Sequence, residues 1–169
     1  MDFLWTPWRY QYITASGEAH ECVFCAAAVC PDDHAALVVY RGARCFVILN
    51  RFPYTSGHVM VVPYEHVASL EDLPDEALVE MMRLARDSER HLRAAYHPEG
   101  MNLGINLGRS AGAGIAGHVH MHILPRWTGD TSFITVVSET RILPEDLEVT
   151  WERLRGAFGA ATPPSPTAG

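Results

Sequence analysis

The sequence predicts an α+β domain built on a mainly antiparallel sheet. Three observations predict it. Short apolar segments with strand character follow one another in hairpin-like order, one long amphipathic helical segment is inserted among them, and no internal repeat is present.

The elements follow in order. Trp5, Pro7, Trp8, Tyr10 and Tyr12 make the N-terminal segment aromatic. So much apolar surface is expected to pack on the domain or on a second subunit. "ECVFC" and the polar, small "PDDHAA" come next. "ALVVYRGARCFVILN" reads as two strands about a turn at Arg41-Gly42, and "GHVMVVP" as a strand ended by Pro63. "HVASLEDL" reads as a short helix. "PDEALVEMMRLARDSERHLRAAYH" is the long helix. Pro74 suits its first turn, and Pro98 and Gly100 stop it. Leu78, Met81, Met82, Ala85, Leu92 and Tyr96 form its apolar stripe, broken at Ser88 and Glu89. "MNLGINLG" alternates as a strand, "RSAGAGIAG" is a glycine-rich loop, "HVHMHILPRW" is the next strand, and "EDLEVTWERLRGAF" is a last helix. From Gly159 the chain reads "GAATPPSPTAG", with no apolar period. Residues 1–158 are therefore expected to form one domain and 159–169 a disordered tail.

The totals bound the function. A chain of 169 residues, 48% of them hydrophobic, suits a single domain with a real core. A net charge of −7 argues against a nucleic-acid binder, though a local pocket can still hold a small anion. No apolar run is long enough to span a bilayer. The start "MDFLWTPWRY" carries Pro and Arg within its apolar part and lacks a basic lead, so it is not read as a signal peptide. A cytoplasmic protein with no membrane partner is expected. Its four cysteines (Cys22, Cys25, Cys30, Cys45) should then be reduced.

The segment "GHVHMHILPRW" carries the densest chemistry. Side chains alternate along a strand, so His118, His120 and His122 share one face, while Val119, Met121 and Ile123 share the other. The histidine face has three readings. It is an exposed polar face, a tri-histidine metal site, or a catalytic edge on which one neutral imidazole attacks while its neighbours orient it and the substrate. Same-face residues lie roughly 6.6 Å apart in an extended strand, wide for three ligands each about 2 Å from one ion.

Gly112-Ala-Gly-Ile-Ala-Gly117 matches G-x-G-x-x-G letter by letter. A dinucleotide fingerprint leaves a strand and opens a helix, whereas this loop opens a strand, so a Rossmann reading is rejected. The glycines still allow close backbone approach, and clustered backbone N–H groups bind phosphate. The alternative is a plain hairpin connection. Asn102, Asn106 and Ser110 add neutral donors nearby. Cys22-x-x-Cys25 is half of a metal site by spacing, with a redox pair as the rival. Cys30 and Cys45 lack partners at ligand spacing and read as structural. His20, His34, His91 and His97 read as surface residues.

"HVHMHIL" fits the pattern His-φ-His-φ-His-φ-φ, with φ apolar, and the chain resembles the histidine-triad (HIT) superfamily of nucleotide hydrolases and transferases. "LNRFPYTSGHVMVVPYEHV", "LEDLPDEALVEMM" and "INLGRSAGAGIAGHVHMHILPRW" extend the resemblance over about Trp5 to Val137. It implies a five-stranded antiparallel sheet, usually paired in a homodimer, and purine-nucleotide substrates. It implies that His120 attacks the α-phosphorus and that His122 binds or protonates phosphate oxygens. His58 matches the upstream family histidine near the α-phosphate, Asn50 the ribose-holding asparagine, and Asn106 the polar residue before the phosphate loop. Many members carry Gln and then Ser or Thr before the triad. This chain has Gly114 and Ile115 there, in a loop one residue longer, so Ser110 and the backbone at Gly112, Gly114 and Ile115 would substitute.

The resemblance also completes the Cys pair. Some triad proteins with it close a zinc site with two histidines, here His66 and His118, giving a structural Cys2His2 set of Cys22, Cys25, His66 and His118. The "LWTPWRYQYI" start and the "PRWTGDTSFI" sequel look most like dinucleoside-tetraphosphate phosphorylases and hydrolases. The expected function is cleavage of dinucleoside polyphosphates such as diadenosine tetraphosphate through a nucleotidyl-His120 intermediate, with phosphate or water as acceptor. The alternatives are a nucleoside phosphoramidase and a zinc-organised nucleotide-binding protein without turnover.

Overall fold

The computed structural model of the chain describes residues 22–130 and 145–160. The aromatic N-terminal segment, His20 and the tail beyond residue 160 lie outside the described residues. The order is α1 (Val23–Val29), β1 (Val38–Arg41), β2 (Cys45–Leu49), β3 (Val59–Pro63), α2 (Asp75–Tyr96), β4 (Gly100–Ile105), β5 (Met121–Arg126) and α3 (Leu147–Ala160). The strands form one five-stranded sheet in the order β1-β2-β3-β5-β4, every neighbouring pair antiparallel. The α+β architecture read from the sequence is the one observed. Strands β3 and β4 both oppose β5, so they run parallel to each other with β5 between them, and α2 is the crossover that this topology needs.

Strict alternation splits the sheet into two apolar faces. Val47, Leu49, Val59, Val61, Met121 and Ile123 face α2 and α3, where Met81, Leu92, Leu154 and Phe158 cover them. Phe46, Ile48, Met60 and Val62 face the other way, against Phe24 and Ala27 of the short α1. The histidine face belongs to this second side: His122 stands opposite Met60 in the β3–β5 register. Because α1 is only 7 residues long, it covers one end of that face and leaves the rest to the site.

Some elements differ from expectation for identifiable reasons. The helix expected over His66–Leu73 shrinks to a 3-10 turn at Leu70–Asp72. Leu73 precedes Pro74, which holds it extended and stops a helix from growing. The buried line of α2 is Ala77, Met81, Leu84, Ala85, Ser88 and Leu92. Met82, read as part of the stripe, is 58% exposed, while Ser88 lies in the core. Small residues at 77, 85 and 88 let the helix sit close to the sheet. The strand expected from His118 starts at Met121, since Val119 N–H turns instead to the Val67 carbonyl. Helix α3 runs through Gly159 and Ala160, two residues beyond the boundary read from the sequence. It docks through Trp151 Nε1–H and Arg155 to the carbonyls of Val38 and Val39. Among the described residues no helix is long and apolar enough to cross a membrane.

One clamp holds the β1–β2 turn. The Glu80 carboxylate of α2 accepts the backbone N–H groups of Ala43, Arg44 and Cys45. A Cβ at Gly42 would lie 2.8 Å from the Cys45 carbonyl and from Glu80 Oε1, so only glycine admits this approach.

Candidate active site and metal centre

The three triad histidines are buried to different depths. His118 is fully buried, His120 is 4% exposed, and His122 is half-buried. They also make different contacts. His118 points its Nδ1 at two sulfurs, with Cys22 Sγ at 3.4 Å and Cys25 Sγ at 3.7 Å. His66 Nδ1 lies 3.2 Å from Cys25 Sγ. The ligand atoms of Cys22, Cys25, His66 and His118 all fall within 4.8 Å of one another. A tetrahedral zinc with bonds of about 2.3 Å to sulfur and 2.0 Å to nitrogen sets each sulfur–nitrogen pair about 3.5 Å apart. The three separations bracket that value, so the donor set fits such an ion. Local folding builds it. Cys22 stands at the N-cap of α1 and Cys25 in its first turn. The Val67–Val119 backbone bond brings the turn after β3 to the start of the triad. His118 Nε2–H donates to the Pro63 carbonyl at 3.0 Å, which leaves Nδ1 as the ligand atom.

His120 is held by the next link. Its Nδ1 lies 2.8 Å from the His118 carbonyl. A carbonyl only accepts, so Nδ1 carries the proton and Nε2 presents its lone pair. Burial lowers the His120 pKa below the usual histidine range, which keeps the ring neutral near pH 7. The Phe24 ring packs 4.9 Å from it and 5.3 Å from His118. A neutral imidazole with an available lone pair is a nucleophile.

His122 is the end of a hydrogen-bond chain whose direction can be read. Asn50 Oδ1 accepts Phe52 N–H at 3.0 Å, so the amide turns Nδ2 towards His58 Nδ1, 3.3 Å away. Tyr54 N–H also reaches that Nδ1, at 3.2 Å. His58 Nδ1 is therefore an acceptor, and its proton sits on Nε2. That Nε2–H donates to His122 Nδ1 at 2.9 Å, so His122 keeps its own proton on Nε2. Burial, and then the neighbouring His120, push the His122 pKa down to about 4. The ring is thus a neutral donor, and its centroid is 4.8 Å from that of His120.

The structure brings eight of the sequence-predicted residues into two connected groups: Cys22, Cys25, His66 and His118 in one, and Asn50, His58, His120 and His122 in the other. The His118 backbone joins them. Asn106 is half-buried just after β4, and Ser110 lies exposed in the 3-10 turn Arg109–Ala111. Gly112 ends that turn at φ 92°, a left-handed conformation that suits glycine. Gly114 is exposed, while the partly buried Ile115 side chain packs on the Phe24 side of the core. Of the histidines read as surface, His97 is exposed at the left-handed cap of α2. His34 pairs with Glu148 at 2.6 Å, and half-buried His91 packs on Phe158. Cys45 is buried with its thiol pushed up to about 12 by burial, as a structural cysteine should be.

Sequence reasoning missed three contributors. Phe24 fills the gap beside two imidazoles, the Pro63 carbonyl orients His118, and Tyr54 feeds His58. Phe24, between the two cysteines, had a signal in its position; the other two act through backbone atoms, which side-chain identity does not reveal.

Comparisons with known proteins identify the family of the fold. The HIT domain model matches residues 32–129. A Mycobacterium tuberculosis protein named AP-4-A phosphorylase is 38% identical over 154 residues, covering 87% of this chain and 79% of the relative. A zinc-bound histidine triad family protein from Mycobacterium smegmatis superposes with a TM-score of 0.66 at 32% identity, covering 82% of this chain and 94% of that one. A hypothetical histidine triad nucleotide-binding protein from Sulfolobus tokodaii gives 0.64 at 25% identity, covering 82% and 92%. With a domain match over more than half of its length, running from the approach to β1 through the whole triad, the chain belongs to the HIT domain family.

Proposed function

We propose that this chain is a nucleotide-processing enzyme that cleaves dinucleoside polyphosphates through a covalent nucleotidyl-His120 intermediate. The observation that carries this reading is the ring orientation of His120, with Nδ1–H spent on the His118 carbonyl and the Nε2 lone pair presented. The relative named AP-4-A phosphorylase supports the substrate class.

In the first step His120 Nε2 attacks the α-phosphorus. A P–N bond forms, the P–O bond to the outer polyphosphate breaks, and its electron pair leaves on that oxygen. In the second step an oxygen of phosphate or water attacks, a P–O bond forms as the P–N bond breaks, the acceptor's proton is released to solvent, and the lone pair returns to Nε2. His122 contributes a hydrogen bond from Nε2–H to a phosphate oxygen. Its low pKa makes it a donor that stays neutral, suited to a leaving polyphosphate that needs no proton. His58 acts through His122 by holding that tautomer. Asn50 holds His58, and its second Oδ1 lone pair is assigned to a ribose hydroxyl. Asn106, Ser110 and the backbone at Gly112, Gly114 and Ile115 are assigned to the phosphates.

Zinc is assigned to Cys22, Cys25, His66 and His118. Four protein donors would close the coordination sphere, which suits a structural ion. A second copy of the chain is the proposed protein partner, across edge strand β4, where Asn102, Leu103 and Gly104 are exposed. The proposed setting is the cytoplasm, where the Cys22–Cys25 pair stays reduced and able to ligate.

Incubation with diadenosine tetraphosphate, with and without phosphate, tests the reading. ADP plus ATP identifies phosphorolysis, and AMP plus ATP identifies asymmetric hydrolysis. No turnover under either condition, alongside rapid cleavage of a nucleoside phosphoramidate, refutes the dinucleotide assignment.

A further inference from the structure

The loop from Asn50 to His58 joins β2 to β3 and is pinned along its length. Asn50 Oδ1 holds Phe52 N–H, Tyr54 N–H reaches His58, and Thr55 Oγ1 donates to the Pro125 carbonyl at 3.0 Å. Gly57 sits at φ +80°, packed so closely that an added Cβ would be 3.0 Å from Leu92 and Tyr96. Such a loop is rigid, yet it displays two large aromatic side chains: Phe52 is 67% exposed and Tyr54 is 44% exposed. Tyr54 lies beside the catalytic edge. Its ring is 4.8 Å from that of His58 and stacks over that of His122 at 6.2 Å, with 26° between planes.

Rigid exposed aromatics are poor solubility elements and good stacking surfaces, because every nucleobase offers a π-face to them. Tyr54 lies next to His122, and Phe52 is two residues away on the same pinned loop, which puts this loop on the side of the leaving polyphosphate. We propose that Phe52 and Tyr54 form an aromatic platform for the second nucleobase, the one that departs with the leaving group, so that this loop selects two-ended substrates over one-ended ones. This rests on the reading of the triad as a dinucleoside polyphosphate site. It adds a specificity determinant that none of the triad, the glycine loop or the metal set supplies.

The test compares diadenosine tetraphosphate with adenosine 5′-tetraphosphate, which has the same phosphate chain and one base. The ratio of kcat/KM for the two substrates is measured in the wild type, Phe52→Ala and Tyr54→Leu, and again in Phe52→Trp and Tyr54→Phe. The platform predicts that the ratio falls about tenfold in the first pair of variants, in the range that base–aromatic stacking commands, and recovers in the second. Equal losses on both substrates, leaving the ratio unchanged, overturn the platform and leave the catalytic reading standing. A wild type that cleaves neither substrate overturns the catalytic reading, and this inference with it.

Discussion

Replacing His58 with phenylalanine keeps a ring in a buried slot and removes both nitrogen atoms. Three hydrogen bonds disappear: Asn50 Nδ2 and Tyr54 N–H lose the Nδ1 acceptor, and His122 Nδ1 loses its donor. The last loss matters for chemistry. Without the His58 proton, nothing in the chain from Asn50 dictates which nitrogen of His122 carries hydrogen. One net hydrogen bond of about 1–1.5 kcal/mol is then missing from the orientation of the donor. Since 1.4 kcal/mol is a factor of ten in rate, kcat should fall about tenfold, with little change in KM. Global stability should also fall, by about 1–3 kcal/mol, because hydrogen bonds to a buried ring are lost. His58→Gln is the control, because its amide can still donate towards His122 and should recover part of kcat. Steady-state kinetics on diadenosine tetraphosphate and urea unfolding measure the two effects separately. A folded His58→Phe variant with wild-type kcat would refute the relay.

Further outcomes follow from the same geometry. Burial holds His122 neutral, so its contribution to stability is present above pH 6.5 and is lost as pH falls towards about 4. Urea unfolding at pH 7 and pH 5 should show wild type losing up to about 2 kcal/mol more than His122→Phe, and equal losses in the two proteins would contradict this. Protein purified without chelator should carry near-stoichiometric zinc, and Cys25→Ser should carry much less. Metal analysis that finds no zinc in well-folded wild type removes the Cys2His2 assignment. Gly57→Ala combines a left-handed φ with a crowded Cβ, and should destabilise the fold by about 2–4 kcal/mol in the same unfolding assay.

Much of this architecture was legible because alternation is legible. The period of two in "HVHMHIL" separated imidazoles from core residues, and the structure keeps that separation, with Val119, Met121 and Ile123 in the larger core. The Cys22, Cys25, His66 and His118 grouping came from the family resemblance, and the coordinates draw the four together. What stayed hidden was directional. Nothing in the letters says that the His118 carbonyl accepts the His120 Nδ1–H hydrogen bond, or that Asn50 and Tyr54 point the His58 tautomer at His122. Those facts live in backbone atoms and amide orientation, which sequence does not encode residue by residue. The α2 stripe was misplaced at Met82 for a related reason: a small residue such as Ser88 counts as a break in an apolar pattern, yet it is what lets the helix approach the sheet.

The double role of His118 has a physical consequence. Its side chain belongs to the metal set and its carbonyl fixes the tautomer of His120. On the proposed assignments, an ion held there would stiffen the same residue whose carbonyl orients His120, coupling the two groups mechanically.

On the proposed mechanism, cleavage proceeds by two displacements at the α-phosphorus, through His120. Its most direct test is stereochemical. A dinucleoside polyphosphate made chiral at the α-phosphorus is turned over, and the configuration of the nucleotide product is determined. Two in-line displacements predict net retention. Net inversion would mean that phosphate or water attacks the substrate directly, and the nucleotidyl-His120 intermediate would be contradicted.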